Sequence, residues 1–377
     1  MARQQRTWIE WGYRDRLLDG PMSVSLDHFR WIAALVVATS HLREQTFPDA
    51  GTQVLNGAQK LFYFATLFAD EAVVVFFVLS GLLVGGTVLR DVGAGRFVAR
   101  KYLIARAARL YVALAPAMVL AVVMQAVPGG YDCRHGPDGI GRILGNALFL
   151  QNFTVHPLCN DHPLWSLSSE AYYYLVAPPL IMACVRRTWR SLAVAGAALL
   201  PAAVFLRFEY LTAALGLILW LTGLLPWLVR VRLPWVVAGL PFVASLVVGR
   251  LHLFPHRFEE ELLLAPAFAL LLCSDFAEAR VGGARLAKGL AAFSYSLYLT
   301  HMPIAQAVTL ATGYRDLPVN SARSYAIYGA TVAGMLAVGW LFGVLFEART
   351  PWLRRWLERW SEGLLRRNYA GAMEVVR

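Results

Sequence analysis

The chain has 377 residues, 58% of them hydrophobic, and a formal net charge of +11, with a mean hydropathy of +0.51. A soluble protein of this length is less apolar, and apolar runs that recur at near-bilayer length point to an all-α polytopic membrane protein. The basic residues sit in short clusters between those runs, where topology selection places them, so no nucleic-acid partner is expected.

Residues 1–22 carry Arg3, Arg6, Arg14 and Arg16 with aromatics between them. They read as a cytoplasmic interfacial segment rather than a cleavable signal peptide. Span 1 covers about 25–44 and span 2 about 67–89, and the loop between them is poor in basic residues and faces outward. Arg90, Arg96, Arg100, Lys101, Arg106 and Arg109 then mark a cytoplasmic connection before span 3, about 110–127. The next loop, to residue 162, is external and holds Cys133 and Cys159, which an oxidising compartment would pair. Cys184 and Cys273 lie in apolar runs as small core residues.

Span 4 covers about 164–184, spans 5 and 6 about 191–206 and 211–229, span 7 about 234–249, and span 8 about 261–274. Spans 9 and 10 cover about 289–312 and 324–346. The count is ten, with both termini cytoplasmic, because the residues after 348 include Arg349, Arg354, Arg355, Arg359, Arg366 and Arg367. The organisation is thus 1–22 as interfacial segment, 23–348 as transmembrane domain and 349–377 as basic cytoplasmic tail. The expected location is the inner (plasma) membrane, multi-pass, with membrane lipids as partners.

Span 1 holds Arg30 and His41, eleven residues apart. At 1.5 Å rise that is about 16 Å along the axis. Eleven steps of 100° total roughly 1100°, three turns plus about 20°, so both leave the same face. Such residues in a bilayer helix are costly unless they line a protein interior or a wet cavity. The alternative is that Arg30 snorkels to the headgroups and His41 caps the far end. Spacing alone does not separate the two.

Arg30 and His41 match the arginine, ten residues, histidine signature of the membrane acyltransferase-3 family. Phe76 to Leu83 resembles its Phe-Phe-x-x-Ser-Gly-Phe-Leu block. Arg100, Lys101, Arg106, Arg109 and Pro116 resemble its basic segment leading to a proline. Leu164 to Tyr174 is similar to its Trp-Ser-Leu-x-x-Glu-x-x-Tyr block, and Ser294 to Pro303 resembles Ser-Tyr-Ser-x-Tyr-Leu-x-His-x-Pro. Glu347 sits where the family often ends its last span. Five blocks in order cover nearly the whole chain. Leu82 in place of phenylalanine, Thr300 in place of an aromatic and a looser basic block are the departures.

The resemblance implies transfer of an acyl group, commonly acetyl from acetyl-CoA, to a hydroxyl of an extracytoplasmic carbohydrate or lipid-linked glycan. Acetyl-CoA enters as donor substrate; no metal is expected. No fused extracytoplasmic hydrolase-like domain is seen, so either this chain completes the transfer or a separate extracytoplasmic partner does. A transporter of acylated or glycan compounds is the competing class, and a small-molecule acceptor the variant within the family.

The local chemistry fits acyl transfer on its own terms. An alcohol needs a base to take its proton, and histidine is poised for this near neutrality. His41 is the candidate base and Arg30 a donor-side cation, two stations along one tunnel. Glu170 would orient His41 as a carboxylate orients a catalytic histidine, or be a first-turn glutamate favoured by the helix dipole. Arg100, Lys101, Arg106 and Arg109 suit coenzyme A phosphates, or serve topology and lipid headgroups. His301 falls mid-span, a functional candidate or a hydrogen-bonded core histidine. Asp70, Ser80, Tyr172 and Tyr173 complete the expected acceptor or tunnel set, the tyrosines alternatively forming an interfacial belt. Ser80 is not read as a nucleophile.

Overall fold

A helix stands over each of the ten apolar segments in the computed structural model. It describes residues 9–11, 17–18, 20–124, 139–151, 153–205, 211–251, 254 and 257–375. Helices make up 81% of it, with almost no strand. Arg3, Arg6, Arg14, Arg16 and Cys133 lie outside the described residues.

α1 is Met22–Thr46, α2 Gly57–Ala65, α3 Ala69–Ser80, α4 Gly86–Gly93, α5 Ala99–Met124 and α6 Gly139–Ala147. α7 is Leu164–Arg186, α8 Trp189–Phe205, α9 Leu211–Thr222, α10 Leu225–Leu228, α11 Trp235–Leu251 and α12 Arg257–Cys273. α13 is Ala284–Ala291, α14 Ser294–Thr312, α15 Ala322–Leu345 and α16 Thr350–Val375. The strands are β1, Ile9–Trp11, and β2, Val229–Val231, which pair antiparallel.

Three helical stretches among the described residues are long and apolar enough to cross a membrane: Gly57–Gly93, Ala99–Met124 and Ala322–Leu364. Two shorter apolar helices are Leu215–Leu228 and Trp235–Leu251. Of the other expected spans, the helices α8 and α12 have 17 residues each, and α1, α7 and α14 carry polar groups within them. α1 alone holds Asp27, Arg30, His41, Arg43 and Glu44. A helix of this kind belongs where protein, not lipid, surrounds its polar face.

Two of the sequence expectations change. α5 begins at Ala99, so the basic stretch taken as a connection is the first part of a helix; arginine and alanine are good helix formers. The basic tail is α16, a helix with exposed Trp352, Trp356 and Trp360 recurring every fourth residue.

The connections fall into two sets. In one, Arg100 reaches Ser361 and Glu362, Arg230 reaches Glu278 at 2.7 Å, and His28 meets the Gly282 carbonyl at 2.9 Å. In the other, Arg250 pairs with Glu71 and Arg257 with Asp70, and Gln59 donates to the Val319 carbonyl. The first set is the basic end of the bundle; the second is the opposite end.

α1 is the central pillar. Leu26, Ala33 and Val37 belong to the larger apolar core. Ala34, Ala38 and Leu42 belong to a second core with Ile304, Tyr328 and Met335 of α14 and α15. The helix is therefore buried on two faces.

The rod from α3 to α4 is interrupted by one π-helical turn, Gly81–Gly85. Such turns free backbone groups and recur at functional sites. Here the Leu82 carbonyl accepts from the Trp227 indole N–H at 2.9 Å. A Cβ at Gly81 would run into the Trp220 carbonyl, and one at Gly223 into the Val78 carbonyl. Only glycine lets the two backbones meet this closely.

Candidate active site

Among α1, α3, α5, α7, α14, α15 and the start of α16 lies a cavity of about 780 Å³. Arg30 lines it, with Asp27 one turn back at 3.7 Å. From α5 come Arg106 and Arg109, which lie three residues apart and so share a face. Arg354 of α16 also lines it.

Arg109 donates to Glu347 at 2.6 Å and stacks over the Tyr295 ring at 4.8 Å. The second Glu347 oxygen accepts from the Ser296 amide at 3.0 Å and hydroxyl at 2.8 Å. Glu347 is thus fully engaged, as a buried carboxylate must be. Arg106 faces the Tyr174 and Tyr102 rings, and its buried Nε has no partner.

Mid-cavity, Glu170 accepts from the Ser80 hydroxyl at 2.8 Å and from the Tyr174 hydroxyl. The Trp220 indole donates to Ser80 at 3.0 Å. The far end is closed by Tyr298, whose hydroxyl donates to the Pro163 carbonyl at 2.9 Å and meets Ser166 at 2.6 Å.

One turn beyond Tyr298 stands His301, fully buried. Its Nε2 is 2.9 Å from Nδ1 of His41, and the rings stack at 5.2 Å. Its Nδ1 is 2.7 Å from the Tyr298 carbonyl. Tyr298 lines the cavity and its ring is 5.7 Å from that of His301, whereas neither histidine lines the cavity.

Several sequence-derived candidates are thereby brought together and others are not. Arg30, Ser80, Arg106, Arg109 and Glu170 share one cavity. His41 joins His301 rather than Glu170, so the expected carboxylate–imidazole pairing is absent, and His41 does not line the cavity that holds Arg30. Arg100 is tied to α16 and Lys101 is exposed; neither lines the cavity. Asp70 is at the opposite end with Arg257. Tyr172 and Tyr173 are buried core residues, Tyr173 against Phe77 and Trp220; the cavity tyrosine of that run is Tyr174. Cys159 is disulfide-bonded, Cys273 is buried in the core as expected, and Cys184 is exposed rather than a core residue. Among the described residues no cluster suits a metal ion.

Blocks far apart in sequence thus converge on one space: Phe76 to Ser80, Arg106 and Arg109, Leu167 to Tyr174, Ser294 to Tyr298, and Glu347. The family model described as an acyltransferase domain matches residues 23–344, most of the chain. The protein belongs to the acyltransferase-3 family. No curated protein and no solved structure matches it.

This acyltransferase-3 protein also carries functional candidates that its sequence blocks did not single out. Arg354 lies in the cavity although its run of arginines reads as topology. Arg43 is buried two residues after His41, stacked over Tyr63 at 5.4 Å, with Nε unpartnered. The signal for Arg43 is its place in an apolar helix, two residues after His41 and thirteen after Arg30.

Proposed function

We propose that this acyltransferase is an integral membrane O-acyltransferase. It moves an acyl group, acetyl first, from cytoplasmic acyl-CoA to a hydroxyl of an extracytoplasmic or lipid-linked carbohydrate. In this reading ten helices cross the inner membrane with both termini cytoplasmic, because the basic end of the bundle stays inside.

The observation that carries the reading is the cavity. Arg30, Arg106, Arg109 and Arg354 face a space that holds two carboxylates, both already hydrogen-bonded. Guanidinium groups bind phosphate oxygens bidentately. The unpartnered Arg106 Nε has a use if the donor supplies an anion. His41, beside His301 one turn past Tyr298, is the base for the acceptor hydroxyl.

The test is acetyl transfer by the purified protein in liposomes. Radiolabelled acetyl-CoA is supplied and label is followed into water, protein and glycan fractions. Turnover that vanishes in His41→Ala supports the reading. Turnover that needs an added extracytoplasmic fraction identifies a partner protein. Neither binding nor turnover of any acyl-CoA would overturn it in favour of a transporter.

A further inference from the structure

The partners of His301 decide the chemistry of His41. Nδ1 of His301 lies 2.7 Å from the Tyr298 carbonyl oxygen. A carbonyl oxygen only accepts, so this nitrogen carries the proton. A neutral imidazole has one N–H, which leaves Nε2 of His301 as an acceptor. That atom is 2.9 Å from Nδ1 of His41. The contact is a hydrogen bond when His41 Nδ1 carries its proton and donates. The lone pair of His41 is then on Nε2.

We infer that His301 is a positioning residue, which holds His41 in its Nδ1–H tautomer and presents Nε2 as the atom that accepts a proton. The chain runs from the Tyr298 carbonyl through His301 to His41. It does what a carboxylate does for other catalytic histidines, fixing tautomer and ring orientation through the nitrogen that does not react. A second imidazole orients without adding a fixed negative charge, which suits a site already away from water. The inference rests on the acyl-transfer reading for its chemical purpose, but the tautomer itself does not depend on that reading.

The two alternatives to this role fail on the geometry. Glu170, the expected orienting carboxylate, is bonded through Oε1 to Ser80 and Tyr174, while His41 is bonded to His301. Arg43, also near His41 on α1, has donors only and faces Tyr63 and Glu44.

The test is the ¹⁵N spectrum of the full chain in lipid nanodiscs with labelled histidine, His41 being assigned by loss in His41→Gln. Wild-type His41 is expected to show a protonated Nδ1 and a bare Nε2. His301→Gln offers an amide oxygen to His41 and an N–H to Tyr298. It should keep that tautomer and keep kcat within about tenfold. His301→Leu offers neither. It should lose the tautomer preference and at least about 100-fold in kcat, with the acyl-CoA KM unchanged. A wild-type His41 protonated on Nε2 overturns the inference even if neither His301 variant folds. So does His301→Leu with tautomer and kcat intact. The expected spectrum in a protein that turns over no acyl-CoA supports the tautomer and sinks the acyl-transfer reading alone.

Discussion

His41 and His301 share a 2.9 Å contact between Nδ1 and Nε2, although they lie 260 positions apart in the chain. α1 and α14 are held face to face by apolar packing on either side of it, Ala38 and Leu42 on one helix, Ile304 and Ala305 on the other. A general base contributes about 10²- to 10⁴-fold to a rate. His41→Ala should therefore remove that much acyl transfer while the protein keeps its elution volume in detergent. Initial rates with acetyl-CoA, set beside size exclusion, check it; wild-type rates would end the proposed role of His41.

Arg109 and Glu347 form a second long-range pair at the site, joining α5 to the turn after α15. Removing one partner of a buried pair leaves the other charge uncompensated, at a cost of about 3 kcal/mol. Arg109→Ala should lower the thermal midpoint and raise the KM for acyl-CoA. Glu347→Gln keeps an acceptor for Arg109, so its midpoint should fall less. A thermal-shift series over the two variants shows the order.

Glu170 is tied to Ser80 and Tyr174, and not to His41. A glutamine at this position still offers an oxygen to both hydroxyls. Glu170→Gln is therefore expected to stay within about tenfold of wild-type kcat, whereas Glu170→Ala strands two buried donors at about 1–3 kcal/mol each. A steady-state comparison of the two variants distinguishes a network residue from one whose charge takes part in the chemistry.

Asp161 precedes α7, and burial holds its carboxyl well above the ordinary carboxylate range. The folded protein keeps the proton at pH values where the unfolded chain, with its value of about 3.9, has lost it. Stability then falls as pH rises from about 4 through the folded value. Asp161→Asn should remove this slope. Its unfolding temperature should match wild type near about pH 4 and exceed it near about pH 8.

The helices were legible as apolar runs, and Arg30 with His41 as one face of α1. Their separate destinations were not, because His301, which takes His41, and Arg109 and Glu347, which share the cavity with Arg30, come from helices and turns far along the chain. The basic stretch shows the same limit. Once α5 is known to start at Ala99, 100° per residue puts Arg106 and Arg109 about 60° apart and Arg100 about 120° from Arg106. That rotation sends two arginines into the cavity and Arg100 to α16. Read as a connection, the stretch has no faces and the distinction cannot be drawn. Glu170 and His41 each looked like the other's partner because both leave helices near the same end. Side chains on α3 and α14 were closer.

The glycine contacts between the π-turn and α9 have a mechanical side. At Gly81 and Gly223 backbone already touches backbone, and the Trp220 and Trp227 rings fill the space beside Gly85 and Gly86. That wall of the cavity is a seam with no slack. The facing wall has a seam of its own, where a Cβ at Gly343 of α15 would run into Phe293 and one at Gly339 would press on Leu297. The cavity works like a vice with both jaws fixed, and room for a bulky occupant has to come from its side chains and from α16 rather than from a shift of either seam.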